Sequence, residues 1–259
     1  MKSIFGYILA AMLLVGSVAC SVVNDAIKSG DPQYAYEQAL SLYEDEKWDQ
    51  ASTLFEACRH IYMGTPREDS LSFYNARCKF KRHDWEEAST QLDTYRRKFS
   101  RSPFIEEAEG MYALCHYYMS PPPEYDQTMT TQAIIAITEF MSRYPESEHN
   151  AEFGDMLEEL NQRLMQKSYM NAYTYYKIGR YKSAVPALKN ALKKYPDTPH
   201  REELMYLIVK SSYELAHNSI ESLQRDRYMN MMDSYYSFVA EYPESKHVKE
   251  LNRRLQEAK

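Results

Sequence analysis

The chain is 259 residues long, 44% hydrophobic and 26% charged, and it holds only 7 glycines. So few glycines exclude collagen-like and Gly-rich phosphate-loop proteins and argue against a hairpin-dense β-sandwich, because tight turns draw on glycine and a helix interior loses about 1 kcal/mol for each one. The 31 basic and 37 acidic residues give a net charge of −6, against the basic face that a nucleic-acid binder presents, so no nucleic-acid partner is predicted.

At the N-terminus, Met1-Lys2 precedes an almost unbroken apolar run from Ile4 to Val15, followed by Gly16-Ser17-Val18-Ala19-Cys20. The run is shorter than the roughly 20 residues of a spanning helix, and small residues stand before the expected cleavage point. Residues 1–19 are therefore predicted to be a signal peptide. Small residues ending on a Cys resemble the bacterial lipobox, with Ser17 where that motif most often has Leu. The resemblance implies acylation of Cys20, with palmitate among the acyl chains, and a lipid-anchored envelope protein. Ser21 rather than Asp after the Cys implies the outer membrane, and the lack of an acidic cluster there implies its periplasmic face. Residues 20–31 read as the lipidated Cys and a short tether.

From residue 32 to 259 the chain repeats itself. Segments aligned on Trp48, Trp85 and Tyr181 agree without gaps. Three residues on stand Ala51, Ala88 and Ala184; seven on, Phe55, Leu92 and Leu188; fourteen on, Tyr62, Phe99 and Tyr195; eighteen on, Pro66, Pro103 and Pro199. Nine residues before the anchors stand Ala39, Ala76 and Ala172. Offsets of 3, 7, 10 and 14 trace one helix face, and the small residue at offset 3 admits a close neighbour. Two further segments, around Ala133-Ile137-Phe140-Tyr144 and Met231-Tyr235-Phe238-Tyr242, carry the second half of the pattern.

This is a helix-turn-helix repeat resembling the tetratricopeptide pattern. The predicted fold is all-α, a solenoid of about five such units, with 32–147 as N-terminal units and 148–259 as C-terminal units. Closing aromatics at 62, 99, 144, 195 and 242 are spaced more widely than the 34 residues of an ideal repeat. The excess is placed at Ser120-Pro121-Pro122-Pro123, in one long helix within 148–177, and around 217–224. A last polar helix is predicted over 246–258.

A lipobox Cys followed by such units, with Ala172-Tyr173-Thr174-Tyr175-Tyr176-Lys177-Ile178-Gly179-Arg180-Tyr181 and Phe140-Met141-Ser142-Arg143-Tyr144-Pro145 among them, resembles the YfiO-like family of tetratricopeptide lipoproteins. These belong to the outer-membrane β-barrel assembly machine. The resemblance covers nearly the whole chain after Cys20 and is strongest over 133–217. It implies a non-enzymatic scaffold whose partners are the barrel assembly protein, through its periplasmic POTRA domains, and unfolded barrel precursors. It also implies that the C-terminal half docks the POTRA region. An alternative role within the same architecture is a periplasmic tetratricopeptide lipoprotein that organises peptidoglycan or cell-division factors.

The residues themselves carry no catalytic, metal or cofactor motif: there is no nucleophile elbow, Walker loop, Gly-x-Gly-x-x-Gly or His-Glu-x-x-His. The seven His share no helical turn and read as surface or capping residues. A glycan binder would set Trp beside clustered carboxylates, whereas Trp48 and Trp85 hold repeat positions. Cys58, Cys78 and Cys115 lack Cys-x-x-Cys spacing and read as buried free thiols.

Two groups stand out as binding candidates. Tyr36, Tyr43, Phe73, Phe80, Tyr169 and Tyr176 form an i, i+7 stripe on the first helix of three units. It either lines a groove for an extended peptide or packs between successive units. Lys177, Arg180, Lys182, Lys189, Lys193 and Lys194 either meet an acidic partner or decorate a solvated helix face.

Overall fold

The computed structural model describes residues 22–257. The signal peptide predicted over 1–19 and the acylated Cys20 lie outside the described residues. The described chain is all-α, with no strand: α1 (residues 22–29), α2 (Pro32–Glu44), α3 (Trp48–Tyr62), α4 (Arg67–Lys81), α5 (Trp85–Lys98), α6 (Ile105–Met119), α7 (Thr128–Arg143), α8 (Asn150–Lys177), α9 (Tyr181–Lys194), α10 (Arg201–His217), α11 (Glu221–Glu241) and α12 (Val248–Glu257). Five helix pairs, α2–α3 through α10–α11, correspond to the five predicted repeats. The residues at offsets 3 and 7 are buried in all three aligned units. The closing aromatics Tyr62, Phe99, Tyr144, Tyr195 and Tyr242 are only half-buried and edge the core.

The turn inside three of the pairs has one geometry. After α2, Glu46 N–H donates to Tyr43 O at 3.0 Å and Lys47 N–H to Leu42 O at 2.8 Å. The same two bonds recur after α4, from His83 to Phe80 at 3.0 Å and from Asp84 to Lys79 at 3.1 Å, and after α8, from Gly179 to Tyr176 at 3.0 Å and from Arg180 to Tyr175 at 2.9 Å. These paired bonds close a helix C-terminus only if one residue is left-handed. Glu46, His83 and Gly179 supply it, at φ 59°, 63° and 71°. A Cβ on Gly179 would meet nothing within 4 Å, so Gly179→Ala should cost only the backbone strain of that conformation, about 1–2 kcal/mol. A thermal melt showing no loss would contradict this account of the turn.

Two compact units divide the chain: the first runs to residue 120 and includes 128–157, the second comprises 121–127 and residues from 158 onward. In the first, α1–α3 and part of α4 share a core of Ala35, Ala39, Leu42, Leu54, Phe55 and Leu71, and α4–α6 a core around Phe73, Leu92 and Tyr95. Phe140 on α7 meets Phe153 on α8 edge-on at 4.9 Å. In the second, Leu188, Leu204 and Leu207 form one core; Val209, Met231, Phe238, Leu251 and Leu255 form the next. Cys58, Cys78 and Cys115 are buried free thiols as predicted. Burial pushes all three up, Cys78 and Cys115 to about 12, because a thiolate is poorly solvated there.

Several predicted features take a different form. The stretch read as a tether is helical over 22–29, with Ala26 buried against the first pair. The excess length around 217–224 is mostly helix, lengthening α11 to 21 residues. The last helix is not simply polar, since α12 buries Leu251 and Leu255. The long α8 and the Pro-rich break after Ser120 occur where expected.

Candidate functional site

The aromatic stripe is placed by the small residues beside it. Ala39, Ala76 and Ala172 let neighbouring helices approach, so the rings around them become contact residues. At the earlier stripe position each ring is covered by the residue that opens the next first-helix. Arg67 lies over Tyr36 at 5.4 Å, Phe104 stacks on Phe73 at 4.5 Å and His200 stacks on Tyr169 at 4.2 Å. His247 repeats this on Tyr206 at 3.9 Å. Cationic, aromatic and imidazole planes are interchangeable here because all three are attracted to a ring face.

The later stripe position is covered as well. Arg77 lies over Tyr43 at 5.8 Å and pairs with Glu107 at 3.0 Å. The same arrangement recurs at the fourth pair, where Lys210 lies over Tyr176 at 5.8 Å and pairs with Glu250 at 3.3 Å. Phe80 packs edge-on against Trp85 at 5.2 Å. Burial pushes the Tyr43 hydroxyl up to about 12 against the pull of Arg77. For Glu250, burial raises the carboxyl pKa, but the Tyr206 hydroxyl and the Lys210 and Arg254 cations outweigh it and hold the pKa below the usual range.

Of the two readings of the stripe, inter-unit packing accounts for Tyr36 and Phe73. Phe73 is 1% exposed and Tyr36 is buried, so neither offers a face to a peptide. Tyr43, Phe80, Tyr169 and Tyr176 keep exposed edges.

The six basic residues come together in the second unit, at the end of α8, in the following turn and along α9. All are exposed, and none is ion-paired among the described residues. Helix α9 contains no acidic residue. Lys182, Lys189 and Lys193 fall on one face of it by helical spacing, opposite the buried Ala184, Leu188 and Ala191.

Two grooves that the repeat pattern did not announce accompany these surfaces. In the second unit, a groove of about 290 Å³ runs between α9 and α11, with Met205 and Ile208 of α10 as its floor and Lys189 on its wall. In the first, the repeat-equivalent groove of about 300 Å³ lies between α3 and α5, floored by Leu71, Ser72 and Asn75 of α4. Asn75 accepts from Ser52 at 2.7 Å. Short polar residues open both grooves: Thr90, Gln91 and Thr94 on α5, Asn230, Ser234 and Ser237 on α11. An i, i+4, i+7 polar spacing, Glu87, Gln91 and Thr94 on α5 and Asn230, Ser234 and Ser237 on α11, was the available sequence signal. Ser72 and Asn75 add polar groups beside Leu71 in the first floor, whereas Met205 and Ile208 make the second apolar. Among the described residues no group of His, Cys, Asp and Glu is arranged to hold a metal, and no helix is long and apolar enough to cross a membrane.

The profile of the YfiO family, described as outer membrane lipoprotein, matches residues 28–226 and, in an overlapping match, 165–259. The chain is similar to the outer membrane protein assembly factor BamD of Caulobacter vibrioides, 22% identical over 205 residues, covering 75% of this chain and 67% of that one. It is also similar to the putative outer membrane protein assembly factor BamD of Aquifex aeolicus, 25% identical over 206 residues, covering 79% and 67%. Among solved structures, a thermophilic TPR protein of Thermus thermophilus aligns with a TM-score of 0.34 and 17% identity, over 88% of this chain and 98% of that one.

Proposed function

This chain belongs to the YfiO family of outer membrane lipoproteins, and on that premise we propose that it is an outer-membrane protein assembly factor, held by acylated Cys20 on the periplasmic face. It works by docking and positioning, without bond chemistry. The basic face of α9 and the adjoining apolar-floored groove receive the POTRA region of the barrel assembly protein. Unfolded barrel precursors meet the half-exposed aromatic edges and the groove of the first unit.

The observation that carries the docking site is that Lys189, on the unpaired basic face of α9, also lines an apolar-floored groove whose other wall holds Asp233. Leu192, Met205 and Ile208 line the groove beside it. Apolar burial holds a partner, while the cations steer it and reject like-charged surfaces. The test is a triple reversal, Lys182→Glu, Lys189→Glu and Lys193→Glu, in the otherwise intact protein. Association with the purified POTRA domains should slow roughly ten- to hundredfold at low salt, with a flatter salt dependence. An unchanged association rate in a variant with normal helicity would remove α9 from the interface.

A further inference from the structure

Among the described residues of the first unit, seven large apolar side chains are exposed, and four of them sit at one end of its first helix pair: Ile27 (50%), Tyr34 (40%), Ile61 (45%) and Met63 (68%). Single exposed apolar residues need no explanation, but a local group of them marks a contact surface. Their common location follows from the packing. Ile61 and Met63 flank Tyr62 at the end of α3. Tyr34 stands at the start of α2, next to Gln33. Arg67 at the start of α4 joins these ends: its guanidinium donates to Gln33 and, at 3.3 Å, to the Tyr62 hydroxyl. Cys58 near the end of α3 reaches Pro32 O at 3.8 Å.

Ile27 belongs to α1, which is fixed to the same end. Val23 and Ala26 pack on the first core. The joint to α2 is a defined elbow: Gly30 is left-handed at φ 65°, and Ser29 Oγ donates to Ala26 O at 2.7 Å. Asp31 caps α2 by accepting from Gln33 N–H at 2.9 Å. The chain therefore leaves the first pair along an anchored helix.

Cys20 precedes the first described residue by two positions, and two residues span at most about 7 Å. Five residues of helix from there to Ile27 add about 7.5 Å. Acyl chains on Cys20 must enter the hydrocarbon, whose interfacial layer on each side is on the order of 5–7 Å thick. The anchor thus holds Ile27, and the helix ends packed beside it, close to the lipid headgroups.

We propose that the end of the first helix pair bearing Ile27, Tyr34, Ile61 and Met63 is a membrane-contact face that rests in the headgroup layer of the phospholipid bilayer. This rests on the acylation of Cys20. Isoleucine and methionine side chains there gain from shallow burial, and Tyr34 has the amphipathic character favoured at that depth. The face would hold the first unit in a set orientation against the membrane rather than on a loose tether.

The test uses the acylated full-length protein in vesicles of phosphatidylethanolamine and phosphatidylglycerol. An environment-sensitive fluorophore is attached at Met63→Cys or, as control, at exposed Ile135→Cys on α7; the three native thiols are buried. Flotation with the vesicles reports the anchor, and the fluorophore reports the face. The expected result is a blue shift at position 63, with loss of emission when lipids carry a nitroxide near the headgroup, and neither change at position 135. Protein that floats while position 63 responds no more than position 135 overturns the proposal. So does shielding of position 63 without vesicles that grows with protein concentration, since a second copy would then cover the face. Protein that fails to float removes the acyl anchor and the proposal with it.

Discussion

Replacing Cys20 with Ala is expected to move nearly all of the protein from the membrane pellet to the soluble fraction. On the proposed acylation of Cys20, attachment rests on its acyl chains. Each buried methylene contributes about 0.8 kcal/mol, and a single myristoyl chain already gives an association constant near 10⁴ M⁻¹, with further chains making attachment stable. Losing all of them removes several orders of magnitude of partitioning. The contact face around Met63 is too small to compensate, so the Cys20→Ala protein should wash off in salt. Fractionation with immunoblotting reads the result. Retention of the variant in salt-washed membranes, together with an unacylated wild-type mass, would exclude lipidation at Cys20.

The second large effect is expected in the core of the first unit. Phe140 is buried on α7, edge-on to Phe153 at 4.9 Å and tilted against Tyr144 at 5.0 Å. It also closes on the backbone of α6, where a Cβ on Gly110 would stand 3.4 Å from its ring. Phe140→Ala would leave a cavity walled by an aromatic ring and a glycine backbone, neither of which can collapse into it. A loss of about 3–5 kcal/mol is expected, read as a lowered urea midpoint. Ile135→Ala, on the exposed side of the same helix, should change stability by less than about 0.5 kcal/mol. Similar midpoints for the two variants would mean that the helix register is wrong.

The helix pairs were legible because their signals are local and periodic. Ala51, Ala88 and Ala184 mark close approach, and Pro145, Pro196 and Pro243 follow the closing aromatics. Two of the three left-handed turns were not legible, because Glu46 and His83 hold a conformation usually signalled by glycine. Nor were the caps on the stripe. Arg67, Phe104, His200 and His247 share no chemistry in one-letter terms, only a flat group at one repeat position. His200 and His247, which read as surface or capping residues, stack on tyrosines. The basic group was visible as composition, since α9 has no acid to offset its lysines. The groove beside it was not, because Lys189, Met205 and Ser234 come from three different helices and meet only after packing.

The buried thiols carry a kinetic consequence. Cys58, Cys78 and Cys115 fall one each in the first three helix pairs. With a pKa near 12, Cys78 and Cys115 expose only about one thiolate in 10⁵ at pH 7 even where reagent could enter. An oxidant outside the cytoplasm can reach them chiefly when a pair opens. Modification of each sulfur is thus clocked by the local opening equilibrium of its own pair. Three native reporters would resolve which pair frays first, and the order of oxidation would record the order of opening.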